Sequence, residues 1–150
     1  MALRSGKAIH FYEKNVRSVG RISLGVKGVT LSKDDKVVSM VITNKVSNDL
    51  LVVSENGFGK RSNINDYRIT KRGCKGIKTM QVTNKTGLLV SAKCVSESDE
   101  IMIINKSGII IRISVSDIRI IGRDTQGVRL IRLQKDDKIS FVEKIENIYK

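Results

Sequence analysis

Residues 120–138 read IIGRDTQGVRLIRLQKDDK, and residues 18–36 read SVGRISLGVKGVTLSKDDK. Superposed without a gap, Gly20 meets Gly122, Gly25 meets Gly127, Lys27 meets Arg129, and Asp34, Asp35 and Lys36 meet Asp136, Asp137 and Lys138, each 102 positions on. Half that distance is the true period. Gly6, Gly57 and Gly108 are in phase at 51 residues, as are Arg21, Arg72 and Arg123, then Gly25, Gly76 and Gly127, then Lys27, Lys78 and Arg129. Asp49 likewise meets Glu100, while the middle copy, TKRGCKGIKTM, has drifted furthest. Full-length copies at a period near 50 predict a propeller-like or solenoid array.

The period divides the chain into units 1–48, 49–99 and 100–150 of one domain. In the last, EIMII, GIIIRIS, GVRLIRL and KISFVEKI are short β-rich runs separated by Asn, Gly, Asp and Ser clusters. The middle unit repeats the scheme with DLLVVS, FGKRSN, GIKTMQV and LLVSAKCV. Apolar residues do not recur at helical spacing, and the absence of proline spares every strand a missing donor. Runs such as LLVV and IMII are apolar on both faces and predict strands covered on both sides, as in propeller blades packed face to face. The expected fold is all-β, with one four-stranded blade per unit. Met1 stands in phase with Val52 and Ile103, so the first unit is expected to begin partway into its first strand. Three blades are too few to close a ring, since propellers use four to eight. The chain is therefore expected to be part of a longer array.

The 150 residues carry 28 Lys and Arg against 15 Asp and Glu, a net charge of +13. The units contribute +6, +4 and +3, so none is neutral. Such an excess with few aromatics points to a polyanion partner, against the alternative of a merely solvated basic surface. There is no apolar stretch long enough to span a membrane and no secretory h-region, so the chain reads as soluble and cytoplasmic. Cys74, Cys94 and His10 have no metal-ligand spacing; the cysteines read as reduced, small hydrophobes.

GRDTQGVRLIRL, DKVVSMVI, ENGFGKRSNINDYRITKRGCKGIKTMQVTNKTGLL and SDEIMIINKSGIIIRISVSDI closely resemble the C-terminal DNA-wrapping domain of bacterial DNA gyrase A, over residue 3 to about 145. The resemblance implies a β-pinwheel, a propeller-shaped disc whose neighbouring blades exchange strands, and matches its last three blades of six. It implies a non-catalytic part of an ATP-dependent type IIA topoisomerase, in which duplex DNA bends around a basic rim to support negative supercoiling. Its partners would be duplex DNA, the N-terminal cleavage domain of gyrase A and the ATP-binding gyrase B in an A2B2 enzyme associated with the bacterial nucleoid. No cofactor is implied in this chain. The family's Gln-Arg-Arg-Gly-Gly-Arg-Gly box has its nearest counterpart in TKRGCKG, residues 70–76, and the box proper is expected upstream. The corresponding C-terminal domain of topoisomerase IV is the related alternative; a basic propeller binding an acidic protein is the alternative of another class.

Wrapping requires phosphate contacts spread over a curved surface, and one basic cluster per repeat would supply them. The candidate DNA-binding residues lie between the second and third predicted strands. They are Arg17, Arg21 and Lys27; Lys60, Arg61, Arg68, Lys71, Arg72, Lys75 and Lys78; and Arg119, Arg123 and Arg129, with Arg112 close by. The in-phase arginines could equally bond loop carbonyls, since arginine serves both uses. Catalytic readings find no support. His10 has no nucleophile elbow, no GxxxxGK[ST] occurs, and Asp34-Asp35 and Asp136-Asp137 sit in Lys-flanked turns. Tyr12, Tyr67 and Tyr149 read as core or rim residues. No recognition helix is visible and aromatics make up 4%, too few for single-strand stacking.

Overall fold

The computed structural model describes residues 1–43 and 49–145, and its regular structure is β-strand interrupted by 3-10 turns. The first unit supplies β1 (Ala2–Leu3), β2 (Lys7–Ala8) and β3 (Val37–Ser39). The second supplies β4 (Asp49–Ser54), β5 (Phe58–Asn63), β6 (Ile77–Lys78) and β7 (Leu89–Val95). The third supplies β8 (Glu100–Asn105), β9 (Ile110–Ser114), β10 (Val128–Arg129) and β11 (Ile139–Ile145). The turns Glu13–Asn15, Ile64–Asp66 and Val115–Asp117 recur in the phase of the repeat. Gly6, Gly57 and Gly108 close the hairpins β1–β2, β4–β5 and β8–β9 at φ of 81°, 80° and 86°, where a side chain would be strained.

The sheets run β3-β1-β2-β6, β10-β5-β4-β7 and β11-β8-β9. Strand exchange is explicit. β6 leaves the second unit to pair with β2, Lys7 opposite Lys78 and Ala8 opposite Ile77. β10 leaves the third unit to pair with β5, Val128 opposite Gly59 and Arg129 opposite Phe58. The expectation of a four-stranded blade from each unit therefore needs correction: the outermost strand comes from the following unit, and the third sheet has three strands among the described residues. The donated strands are also shorter than the runs GIKTMQV and GVRLIRL suggest. After Lys78 the amides of Thr79 and Met80 both turn to the Gly6 carbonyl (2.8 and 3.1 Å), and those of Leu130 and Ile131 turn likewise to Gly57 (2.8 and 3.4 Å).

β4 is buried at every position and joins two cores. Leu50 and Val52 pack with Ala2, Ala8, Phe58, Tyr67, Met80 and Leu89 between the first and second sheets. Leu51 and Val53 pack with Ile101, Ile103, Val115, Ile118, Ile139 and Val142 between the second and third. LLVV is thus covered on both faces. IMII is not: Ile101 and Ile103 are buried, while Met102 and Ile104 are half-buried on the other face.

The repeated aspartates are turn residues. Asp34 and Asp136 adopt φ of 65° and 66°, a left-handed conformation that aspartate tolerates. The neighbouring Asp35 and Asp137 carboxylates accept hydrogen bonds from the Ser5 and Ser107 hydroxyls, each at 2.6 Å. Each pair ties a distant turn to the first hairpin of its own unit.

Candidate nucleic-acid interface

In every unit a basic loop follows the 3-10 turn, and the three loops are hydrogen-bonded in series. The first meets the second where the Gly73 amide donates to Gly28 O (2.7 Å), the Thr30 amide to Cys74 O (3.0 Å) and the Thr30 hydroxyl to Gly73 O (2.6 Å). The second meets the third where the Gln81 amide donates to Thr125 O at 2.9 Å. The in-phase arginines reinforce both junctions. Arg72 donates to Asn15 O (2.9 Å) and Lys27 O (3.0 Å), and Arg123 donates to Lys78 O (2.9 Å), the position in phase with Lys27. Both remain half-exposed, so they shape the loops while presenting charge at the surface.

Around these junctions Arg17, Arg21, Lys27, Arg68, Lys71, Lys75, Lys78, Arg119 and Arg129 are exposed. Lys78 lies 3.6 Å from Asp124, an exposed pair that contributes little stability but lowers the positive field of the third loop. Arg129 lies over the Phe58 ring at 5.3 Å, with Lys85 near the same ring at 5.4 Å. Lys85 is not among the residues selected from sequence. Its signal was the phase, for it stands where the flanking units have Asp34 and Asp136.

Lys60 and Arg61 do not belong to an exposed basic surface, which corrects their selection from sequence. Both are buried on β5. Lys60 donates to Gly122 O at 2.6 Å and to Arg123 O, holding the third loop down onto the second sheet. Arg61 donates to Ile118 O at 2.7 Å and pairs with Asp49 at 3.3 Å. Arg112, in phase with Arg61, pairs with Glu100, in phase with Asp49. These are cross-strand pairs on neighbouring strands, repeated with the blade.

Burial pushes the Lys60 ammonium down to about 8, from its ordinary 10.5. The folded protein then binds fewer protons than the unfolded chain between those values, so this group makes stability rise with pH across that window. The rise amounts to about 2 kcal/mol between pH 7 and 9.5. Burial also raises the Cys94 thiol above its usual value, which acts in the opposite direction as pH rises. Urea titrations of the wild type and Lys60→Met at both pH values isolate the lysine: the wild type should gain on the variant at pH 9.5 by about that amount. A constant difference would mean that Lys60 keeps its ordinary pKa.

The remaining candidates have structural partners. His10 Nδ1 lies 3.0 Å from Tyr67 O. Tyr67 is buried, with its hydroxyl against that of Thr79, whereas Tyr12 is exposed, its ring 5.1 Å from the Lys14 ammonium. Tyr149 lies outside the described residues. Cys74 and Cys94 are both free, and no cluster of three His, Cys, Asp or Glu able to hold a metal occurs among the described residues. No helix among the described residues is long and apolar enough to cross a membrane.

Comparison with known proteins places this geometry. The family described as "DNA gyrase C-terminal domain, beta-propeller" matches residues 4–44, 48–96 and 99–146. The DNA gyrase A protein of Ureaplasma parvum is 44% identical over 138 residues, and that of Staphylococcus aureus 46% over 139; each match covers 92% of this chain. The chain spans 16% of the length of these curated relatives. Among solved structures, the DNA gyrase A C-terminal domain superposes with a TM-score of 0.85 at 32% identity, covering 97% of this chain and 49% of that one. The C-terminal domain of DNA topoisomerase IV superposes at 0.90 with 23% identity, covering 97% and 45%, a likeness of fold. With the matched segments spanning all three repeats, the chain belongs to the DNA gyrase C-terminal domain family.

Proposed function

We propose that the chain binds duplex DNA through its phosphates and bends it along the serial basic loops, as part of negative supercoiling by DNA gyrase. The observation that carries this reading is the continuity of the three loops: each is hydrogen-bonded to the next, and each presents exposed Arg or Lys. Neutralised phosphates release counterions, and additional phosphate pairing along a curved track offsets the energy of bending. Arg17, Arg21, Lys27, Arg68, Lys71, Lys75, Lys78, Arg119 and Arg129 are the phosphate contacts. Arg72 and Arg123 combine contact with loop shaping, while Lys60 and Arg61 act only by holding the scaffold. The cleavage domain of gyrase A and the gyrase B protein complete the enzyme at the nucleoid; the chemistry of strand passage belongs to them.

Arg68, Lys71 and Lys75 are exposed and form no ion pair among the described residues. Replacing all three by Ala should weaken binding to every duplex sequence alike. The slope of log K against log[salt] should flatten by about 3, with folding unchanged. Fluorescence anisotropy over a salt series on two unrelated duplexes measures this. An unchanged slope would move the DNA path off the second loop, and a loss confined to one duplex would replace phosphate binding with base readout. Displacement of DNA by acidic polypeptide at equal charge would favour an acidic protein as the ligand.

A further inference from the structure

The geometry points to a further role for Lys60, one that rests on the phosphate-binding reading above: without touching DNA, it couples binding at the third loop to the uptake of a proton. Phosphate seated on Arg123 favours the charged form of the lysine beneath it, and loss of that charge weakens binding.

A single amine lies directly under the loop. Lys60 on β5 is fully buried, and its Nζ donates to Gly122 O at 2.6 Å and to Arg123 O. Gly122 is exposed, and Arg123 is half-exposed, with its guanidinium on Lys78 O at 2.9 Å. Arg123 therefore carries both a carbonyl that Lys60 holds and a cation that the loop presents. The positions in phase with Lys60 are Ile9 and Ile111, so the second unit alone sets a cation here.

The charges around the amine set the sign of the coupling. Arg123 and Asp124 face it from the third loop, and Asp66 faces it from the 3-10 turn of its own unit. Burial and Arg123 oppose the ammonium form, Asp124 and Asp66 favour it, and the outcome is a pKa of about 8. Asp124 is shared with Lys78 at 3.6 Å, and Tyr67, which faces Arg123 and Asp66, has its own pKa raised by burial. A phosphate on Arg123 offsets the cation that repels Lys60 and adds a negative charge nearby. Both effects favour protonation. Linkage is reciprocal, so protonation of Lys60 favours DNA binding to the same degree. The window lies around and above pH 8, where the free amine loses its proton. Stability runs the other way, since the fold gains as pH rises through that window, so a fall in affinity there is not unfolding.

Anisotropy with one duplex at constant salt, at pH 7 and pH 9, compares the wild type with Lys60→Met, which keeps the apolar register of Ile9 and Ile111. Exposed lysines and the Cys94 thiol are common to both proteins and cancel. Wild-type affinity should fall about threefold more than that of the variant. The salt slope at pH 7 should be the same in both, because Lys60 meets no phosphate. Calorimetry of the wild type in two buffers of different ionisation enthalpy needs no variant; at pH 8.5 it should show uptake of about a third of a proton on binding. Equal pH responses, binding without proton uptake, or a slope flattened by about 1 in Lys60→Met would each overturn the coupling and leave phosphate binding standing. No binding at pH 7 would overturn the phosphate reading and the coupling with it.

Discussion

Ile103→Asp should unfold the third blade and destabilise the chain by about 4 kcal/mol or more. Ile103 is completely buried, among Leu51, Val53, Ile101, Ile139 and Val142. Aspartate there would lose the apolar transfer energy and leave a cavity. It would also face a choice between burying a charge and taking up a proton, either of which is unfavourable. A domain of this size is stable by only about 5–15 kcal/mol, so the loss is a large fraction of the whole. The damage should cross the blade boundary, because Leu51 and Val53 lie on β4 of the second sheet and share this core. Denaturant unfolding followed by hydrogen exchange should show β8, β9 and β11 opening first and β4 protected less than in the wild type. Full protection in all three sheets would mean that the site accommodates a carboxylate, and the two-sided core would have to be reconsidered.

Gly127→Ala should destabilise by about 3 kcal/mol, whereas Gly25→Ala should cost only about 1 kcal/mol. Both glycines hold nearly the same left-handed φ, 77° and 75°, so backbone strain is common to the two. The difference is space. A Cβ at Gly127 lies 2.7 Å from the Gly59 carbonyl oxygen and 3.0 Å from its carbon, backbone atoms that cannot swing aside. β10 would have to lift from β5, releasing the pairs Val128–Gly59 and Arg129–Phe58 and the stacking of Arg129 over Phe58. Thermal unfolding of the two variants measures the contrast. Equal losses would mean that strain alone matters and that β10 is held by something other than its fit to the sheet.

Much of this architecture was legible because its determinants are local. The glycines at 6, 57 and 108 recur where left-handed hairpin turns recur, and Asp34 and Asp136 recur where the chain needs a left-handed residue. The all-β class followed from such punctuation. The origin of the outermost strands was not readable from composition or spacing: GIKTMQV has the same makeup whichever sheet receives it, and only the resemblance to a strand-exchanging family pointed beyond its own unit.

The basic residues separate along the same line. Lys71 and Lys75 lie in a loop and are exposed. Lys60 and Arg61 lie on β5, over which the third unit's loop passes, and that passage buries them. Two signals in the repeat carried the distinction. Lys60 is in phase with Ile9 and Ile111, an apolar position, and Arg61 stands twelve residues after Asp49 as Arg112 does after Glu100. A cation in an apolar register, or one matched to a periodic acid, marks a scaffold contact before it marks a ligand contact.

The passage of strands between blades also governs the order in which the chain can be completed at the ribosome. β5 ends at Asn63, but the strand that covers its edge begins at Val128, 65 positions later. At about 5–20 residues per second, the second sheet waits roughly 3–13 s with that edge bare. During this interval the nascent chain carries an open template for β pairing, and another chain on the same message presents the same one. Slow synthesis at residues 64–127 would prolong the exposure and fast synthesis would shorten it, so the yield of correctly paired second sheet is sensitive to the tempo of translation.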